Sequence, residues 1–85
     1  METGPTARDD VEVNEVADGL VIYDTGRDRV HYLNHTASLV FALCTGTNPE
    51  VVIAEQVGKA FALADGASAE VADCLAMLGR EGLLV

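Results

Sequence analysis

Arg29-Val30-His31-Tyr32-Leu33-Asn34-His35-Thr36-Ala37 begins as a strand and ends as a helix. Val30, His31, Tyr32 and Leu33 are dense in strand-favouring side chains. Asn34 then reads as a helix N-cap, because its side-chain oxygen can accept from an orphan N–H of the first turn. Strand patterns precede this junction and only helix patterns follow it. It divides a β half from an α half.

On the β side, Val11-Glu12-Val13-Asn14-Glu15-Val16 alternates before it slips, which predicts a short strand with an exposed face. Ala17-Asp18-Gly19 is a turn, with Gly19 free to adopt positive φ. Leu20-Val21-Ile22-Tyr23 is the densest β run of the chain. Asp24-Thr25-Gly26-Arg27-Asp28 is a polar hairpin loop that returns the chain to residues 29–33. Two short loops joining three strands imply an antiparallel meander. A meander this small needs helices on one face.

On the α side, Ala37, Val40, Phe41 and Cys44 recur at i, i+3, i+4 and i+7, one helical stripe that Gly46 ends. Asn48-Pro49-Glu50 opens a second helix, with Asn48 as cap and Pro49 in its first turn. Its inward stripe is Ile53, Val57, Ala60 and Phe61, and Gly58 permits a close neighbour. Residues 64–67 break the pattern. Ser68 caps a third helix with the stripe Val71, Cys74, Leu75 and Leu78, ended by Gly82. Ala72, Ala76 and Gly79 form a second stripe of small residues beside it. Leu83-Leu84-Val85 is an apolar tail able to pack back.

The prediction is an α+β domain over residues 11–85, a three-stranded antiparallel β-meander followed by three α-helices (βββααα), winged helix-turn-helix-like in class. Residues 1–10 are polar, contain Gly4 and Pro5, and read as a disordered lead-in. A chain of 85 residues supports one thin core, since such domains bury only about 60% of the surface the unfolded chain exposes.

Acidic residues outnumber Lys plus Arg by 14 to 5, a net charge of -9. A phosphate backbone is repelled by that field, so no nucleic-acid partner is expected. The third helix agrees: Glu70, Asp73 and Glu81 face only Arg80, the wrong sign for a recognition helix. No apolar run is long enough for a membrane span. Cys44 and Cys74 fall on apolar helical stripes, which predicts buried free thiols and a cytoplasmic setting.

Catalytic signatures are missing. The chain has no P-loop, dinucleotide glycine motif, HExxH or nucleophile elbow. His31 and His35 stand four apart, but the cap at Asn34 separates them, so no metal site is expected. No pair of carboxylates is spaced for acid/base work. What remains is physical. A short third strand at a sheet edge leaves N–H and C=O groups unpaired. Beside a helix with a small-residue stripe, that edge makes a slot for an extended peptide. The plainer reading of Ala72, Ala76 and Gly79 is tight helix packing.

Three motifs, in order, carry a resemblance. They are Gly19-Leu20-Val21-Ile22-Tyr23 with residues 29–33, then Leu33-Asn34-His35-Thr36-Ala37, then Asp73-Cys74-Leu75-Ala76-Met77-Leu78 with Glu81-Gly82-Leu83-Leu84. The chain resembles the PqqD-like proteins, the precursor-peptide recognition elements of RiPP (ribosomally synthesised, post-translationally modified peptide) biosynthesis. The resemblance runs from about residue 11 to the C-terminus. It implies a domain that is not an enzyme, needs no cofactor, and binds the leader segment of a precursor peptide. The leader would add as a strand to the third β-strand, against the third helix. The domain would then present the peptide to a modifying enzyme, such as a leader peptidase or a radical SAM enzyme. Carried over by position, the backbone of Arg29, Val30, His31, Tyr32 and Leu33 would pair with the leader. Val71, Leu75 and Leu78, with Ala72, Ala76 and Gly79, would receive its apolar side chains, and Asp73 and Arg80 would make rim ion pairs. The chain lacks the Trp or second Tyr often found around the third strand of lasso-type members, and has His31 and Tyr32 there. A reading from another class is a winged-helix module for protein association or homodimerisation that does not bind DNA.

Overall fold

A computed structural model describes residues 3–63 and 66–85. Three strands, β1 (Glu12–Val16), β2 (Gly19–Asp24) and β3 (Arg29–Asn34), are followed by three helices, α1 (His35–Leu43), α2 (Glu50–Ala60) and α3 (Ser68–Arg80). The sheet is antiparallel in the order β1-β2-β3. Both β1 and β3 are therefore edges. This is the α+β, βββααα arrangement expected from the sequence.

The strand side chains sort by register. Ile22 stands opposite His31, and Leu20 opposite Leu33. Ile22 and Leu33 are buried, which marks this as the helix-facing side. Val21 opposite Tyr32 and Tyr23 opposite Val30 lie on the other side, where Val30 and Tyr32 are exposed. The helices pack on β2 and β3 and do not reach β1, so Val13 stays exposed although it faces the same way as Ile22. Ile22, Leu33, Val40, Ile53, Val57, Val71, Leu78 and Leu83 form the centre of the core.

The cap at Asn34 is formed as its sequence context implies. Its Oδ1 accepts from the Ala37 amide at 2.9 Å. Asn34→Ala is expected to cost about 1 kcal/mol, read as a lower midpoint in urea unfolding. The other two caps differ from expectation. Pro49 takes the N-cap position of α2, and Asn48 instead donates its Nδ2 to the Leu43 carbonyl and Thr45 Oγ1. Ala67 is the N-cap of α3, and Ser68 already lies in the helix without a capping bond. In α2 the buried residues are Ile53, Ala54, Val57 and Gly58, while Ala60 and Phe61 turn outward as the helix ends. Gly58 does admit a close neighbour: a Cβ there would touch the backbone of Gly66 and Ala67. Of the break expected over residues 64–67, Ala64 and Asp65 lie outside the described residues.

The largest departure is at the N-terminus. Residues 4–8, expected to be a disordered lead-in, form a strap between the loop after α1 and the C-terminal tail. Thr6 bridges Thr45 and Ala7 bridges Leu84. The Ala7 amide donates to Cys44 O at 2.8 Å, and the Val85 amide to Thr6 O at 2.7 Å. Arg8 then reaches Asp24 at 2.8 Å, a carboxylate with no exposed surface, and donates to the Gly82 carbonyl at 3.1 Å. Polar composition alone suggested disorder, but a buried carboxylate demands a charged partner, and Arg8 supplies it. The tail packs back as anticipated, with Leu83 buried.

Candidate functional site

The free edge of β3 is defined by hydrogen-bond parity. The loop from β2 to β3 spans residues 25–28 and closes with Asp28 at φ 53, while the Arg27 amide donates to Asp24 O. Such a loop makes Asp24 and Arg29 a directly bonded pair. Bonded and non-bonded pairs alternate along an antiparallel ladder. The backbone groups of Arg29, His31 and Leu33 therefore point at β2, and those of Val30 and Tyr32 point away from the sheet. The two-residue turn between Val16 and Gly19 gives the same parity from the β1 side.

Opposite that edge stands α3, at a distance. No Cα of β3 lies within 8 Å of a Cα of α3. The residue just past α3 makes an ion-pair contact with the strand. Glu81 Oε2, just past α3, lies 3.7 Å from Arg29 Nη1 and 3.8 Å from His31 Nδ1. The His31 contact becomes an ion pair only when the ring is protonated, and its Nε2 is buried with no partner among the described residues. At the other end, a groove of about 440 Å³ is lined by Asn34, Thr36, Ala37, Glu70, Asp73, Cys74 and Met77. The start of α3 thus lies near the end of β3, and its end near the start of β3. The two elements run antiparallel, and the groove opens between α3 and the junction of β3 with α1.

The proposed site residues divide accordingly. Arg29 and His31 meet Glu81, and Val30 and Tyr32 carry the free backbone groups. Leu33 is 1% exposed and belongs to the core. Val71 and Leu78 have no exposed surface, and Leu75 packs half-buried against the core. Val71 and Leu78 are occupied by the fold and are not open to a ligand's side chains, whereas Leu75 keeps part of its surface exposed. Ala72, Ala76 and Gly79 are exposed on the flank of α3 away from the groove, and a Cβ on Gly79 would meet nothing. Asp73 lines the groove. Arg80 is exposed in the last turn, without an ion pair among the described residues. Asn34, Thr36, Ala37, Glu70, Cys74 and Met77 also line the groove and Glu81 contacts the strand, and none of these was among the residues expected at the site. A signal existed: Glu70, Asp73, Cys74 and Met77 follow i, i+3, i+4, i+7, as a core stripe does.

Both cysteines are free, Cys44 buried and Cys74 half-buried at the groove. Burial pushes the Cys44 thiol from its ordinary 9.0 up to about 11, with a smaller contribution from Cys74, and Cys44 Sγ donates to Val40 O at 3.1 Å. Burial also raises the Cys74 thiol. Neither is an activated nucleophile. The folded state holds the proton that the unfolded thiol releases, so this contribution is complete below pH 9 and lost through about 11. Urea midpoints are expected to fall across that window, and less steeply in Cys44→Ala.

The sequence model of the family described as coenzyme PQQ synthesis protein D (PqqD) matches residues 19–84, from the first residue of β2 through the tail after α3. The chain belongs to the PqqD family. PqqD proteins are non-catalytic accessory proteins of RiPP biosynthesis that interact with precursor peptides and biosynthetic enzymes. In this PqqD protein, β3, the slot and α3 all fall inside the match, whereas β1 and the Arg8 strap precede it. No curated protein and no solved structure matches the chain. No helix among the described residues is long and apolar enough to cross a membrane.

Proposed function

We propose that this PqqD protein binds the leader segment of a ribosomally made precursor peptide and presents it to a modifying enzyme, such as a leader peptidase or a radical SAM enzyme. The leader adds to β3 as a fourth strand and covers the slot against α3. The observation that carries this reading is the unpaired outward edge of Val30 and Tyr32, beside a helix held more than 8 Å from the strand.

Magnitudes divide the work between edge and groove. Val30 and Tyr32 offer two amides and two carbonyls. At about 1 kcal/mol net per bond, they contribute about 4 kcal/mol. Micromolar affinity requires about 8 kcal/mol. The remainder, and the cost of ordering the peptide, must come from side chains buried in the groove, at about 25 cal/mol per Å².

A second reading, a homodimer joined edge to edge through β3, is favoured by the exposed Val30 and Tyr32 on the outer sheet face. The net charge of -9 on each copy opposes it. Peptides selected from a displayed library of random short sequences, titrated into labelled protein, distinguish the two. Binding at β3 shifts the amide resonances of Val30 and Tyr32 together with those of Asp73 and Met77. Shifts confined to other surfaces, or no retained peptide, reject the proposal. Sedimentation as a dimer that added peptide does not dissociate favours the second reading.

A further inference from the structure

We infer that the peptide accepted by this slot carries a basic side chain and an apolar side chain two residues apart, both on the side that faces α3. The inference rests on the strand-addition reading and specifies its ligand.

Side chains of an added strand alternate between the two faces of the sheet, so every second one points where His31 and Leu33 point. That direction is toward α3. The α3 flank offers a fixed order: Glu70 and Asp73 first, then Cys74 and Met77, then Glu81. Along a helix, residues 70–81 span about 17 Å, and a six-residue strand spans about 20 Å. A leader segment the length of β3 thus runs the whole stripe and presents about three inward side chains to it. Cys74, Met77 and Ala37 form an apolar floor. Glu70 and Asp73 form an acidic rim beside it.

The rim charges have no cation of their own. Arg8 and Arg27 are tied to Asp24, Lys59 to Glu55, and Arg29 to Glu81, while Arg80 stands seven residues beyond Asp73 in the last turn of α3, without an ion pair to either rim carboxylate. Among the described residues no ion pair involves Glu70 or Asp73. Glu81 differs, because Arg29 already answers it. The groove therefore keeps a negative field at one end only. An entering peptide with an acidic inward residue meets like charge there. A Lys or Arg meets two carboxylates at the rim, and its neighbour two residues along sits on the floor. Charge complementarity then sets direction as well as composition, since the reversed peptide would bring its basic residue to the Glu81 end.

The test is a selection of random displayed peptides on the wild-type domain and on the double variant E70K/D73K, both positions being exposed. Wild-type binders are expected to share a basic residue two positions from an apolar one. E70K/D73K is expected to bind those peptides about ten-fold more weakly and to select acidic residues at the same position. Moving the basic residue by one position puts it on the outer face and is expected to lose the same ten-fold. If it binds equally well there, the preference comes from the overall negative charge and the inference fails. Retained peptides that shift Val30 and Tyr32 but show no basic preference overturn this inference and leave strand addition standing. No retained peptide overturns both. If E70K/D73K does not fold, E70Q/D73N serves in its place, and unchanged affinity for the basic peptide overturns the inference.

Discussion

Tyr32→Pro is expected to weaken peptide binding by about ten-fold or more while the domain stays folded. Proline removes the amide at position 32, which points away from β2 at the free edge. The peptide carbonyl opposite it loses its donor, a cost of about 1–3 kcal/mol for a desolvated acceptor, or about five- to 150-fold in affinity. The sheet tolerates the change because an edge strand with its amide outward is where proline is accepted. His31→Pro is the internal control. Its amide belongs to the ladder with β2, opposite Ile22, so that variant is expected to lose stability first. Calorimetry with a selected peptide, together with thermal melting, reads both. Equal affinity in a folded Tyr32→Pro variant would show that β3 does not carry the peptide.

Leu78→Ala and Met77→Ala should separate stability from binding on adjacent residues of one helix. Leu78 has no exposed surface and sits in the core with Ile22, Ile53 and Leu83. Truncating a buried leucine costs about 2–5 kcal/mol through lost burial and the cavity left behind. A domain of this length has only about 4–13 kcal/mol in total. Leu78→Ala is therefore expected to be marginal or unfolded at 37 °C, with the affinity of its folded fraction unchanged. Met77 is half-buried and lines the groove. Met77→Ala is expected to keep most of the stability and to lose several-fold in peptide affinity. Urea unfolding and calorimetry on both variants check this. The opposite pattern would mean that the binding face of α3 is the Leu78 side.

These two predictions fall where the sequence was least legible. In α3 two stripes overlap. Val71, Cys74, Leu75 and Leu78 recur with helical spacing, and so do Glu70, Asp73, Cys74 and Met77. Cys74 belongs to both. Periodicity gives the faces of a helix but not their neighbours. The resemblance points to this helix as a whole, but the core takes Val71 and Leu78 of its apolar stripe. The small-residue stripe misled for a related reason. Ala72, Ala76 and Gly79 permit a close approach, but all three are exposed, and a Cβ on Gly79 would meet nothing among the described residues.

The sequence by itself determined the order of elements, the antiparallel meander and the helix start at Asn34. Each rests on local physics: a turn at Asp18 and Gly19, a β-rich run, a side chain within reach of its own helix, glycines at Gly46 and Gly82 with φ +87 and +72. Tertiary structure alone decided three matters. It sent Arg8 to the buried Asp24, sixteen residues away, and so turned a polar lead-in into a strap. It turned the Glu70, Asp73 and Met77 flank of α3 toward the slot. It set the side chain of Glu81 against Arg29 and His31 of β3, and left the backbone of Val30 and Tyr32 at the open edge. Helix orientation, long-range ion pairing and the width of a gap follow from how every element packs at once, and no local stretch of the chain contains them.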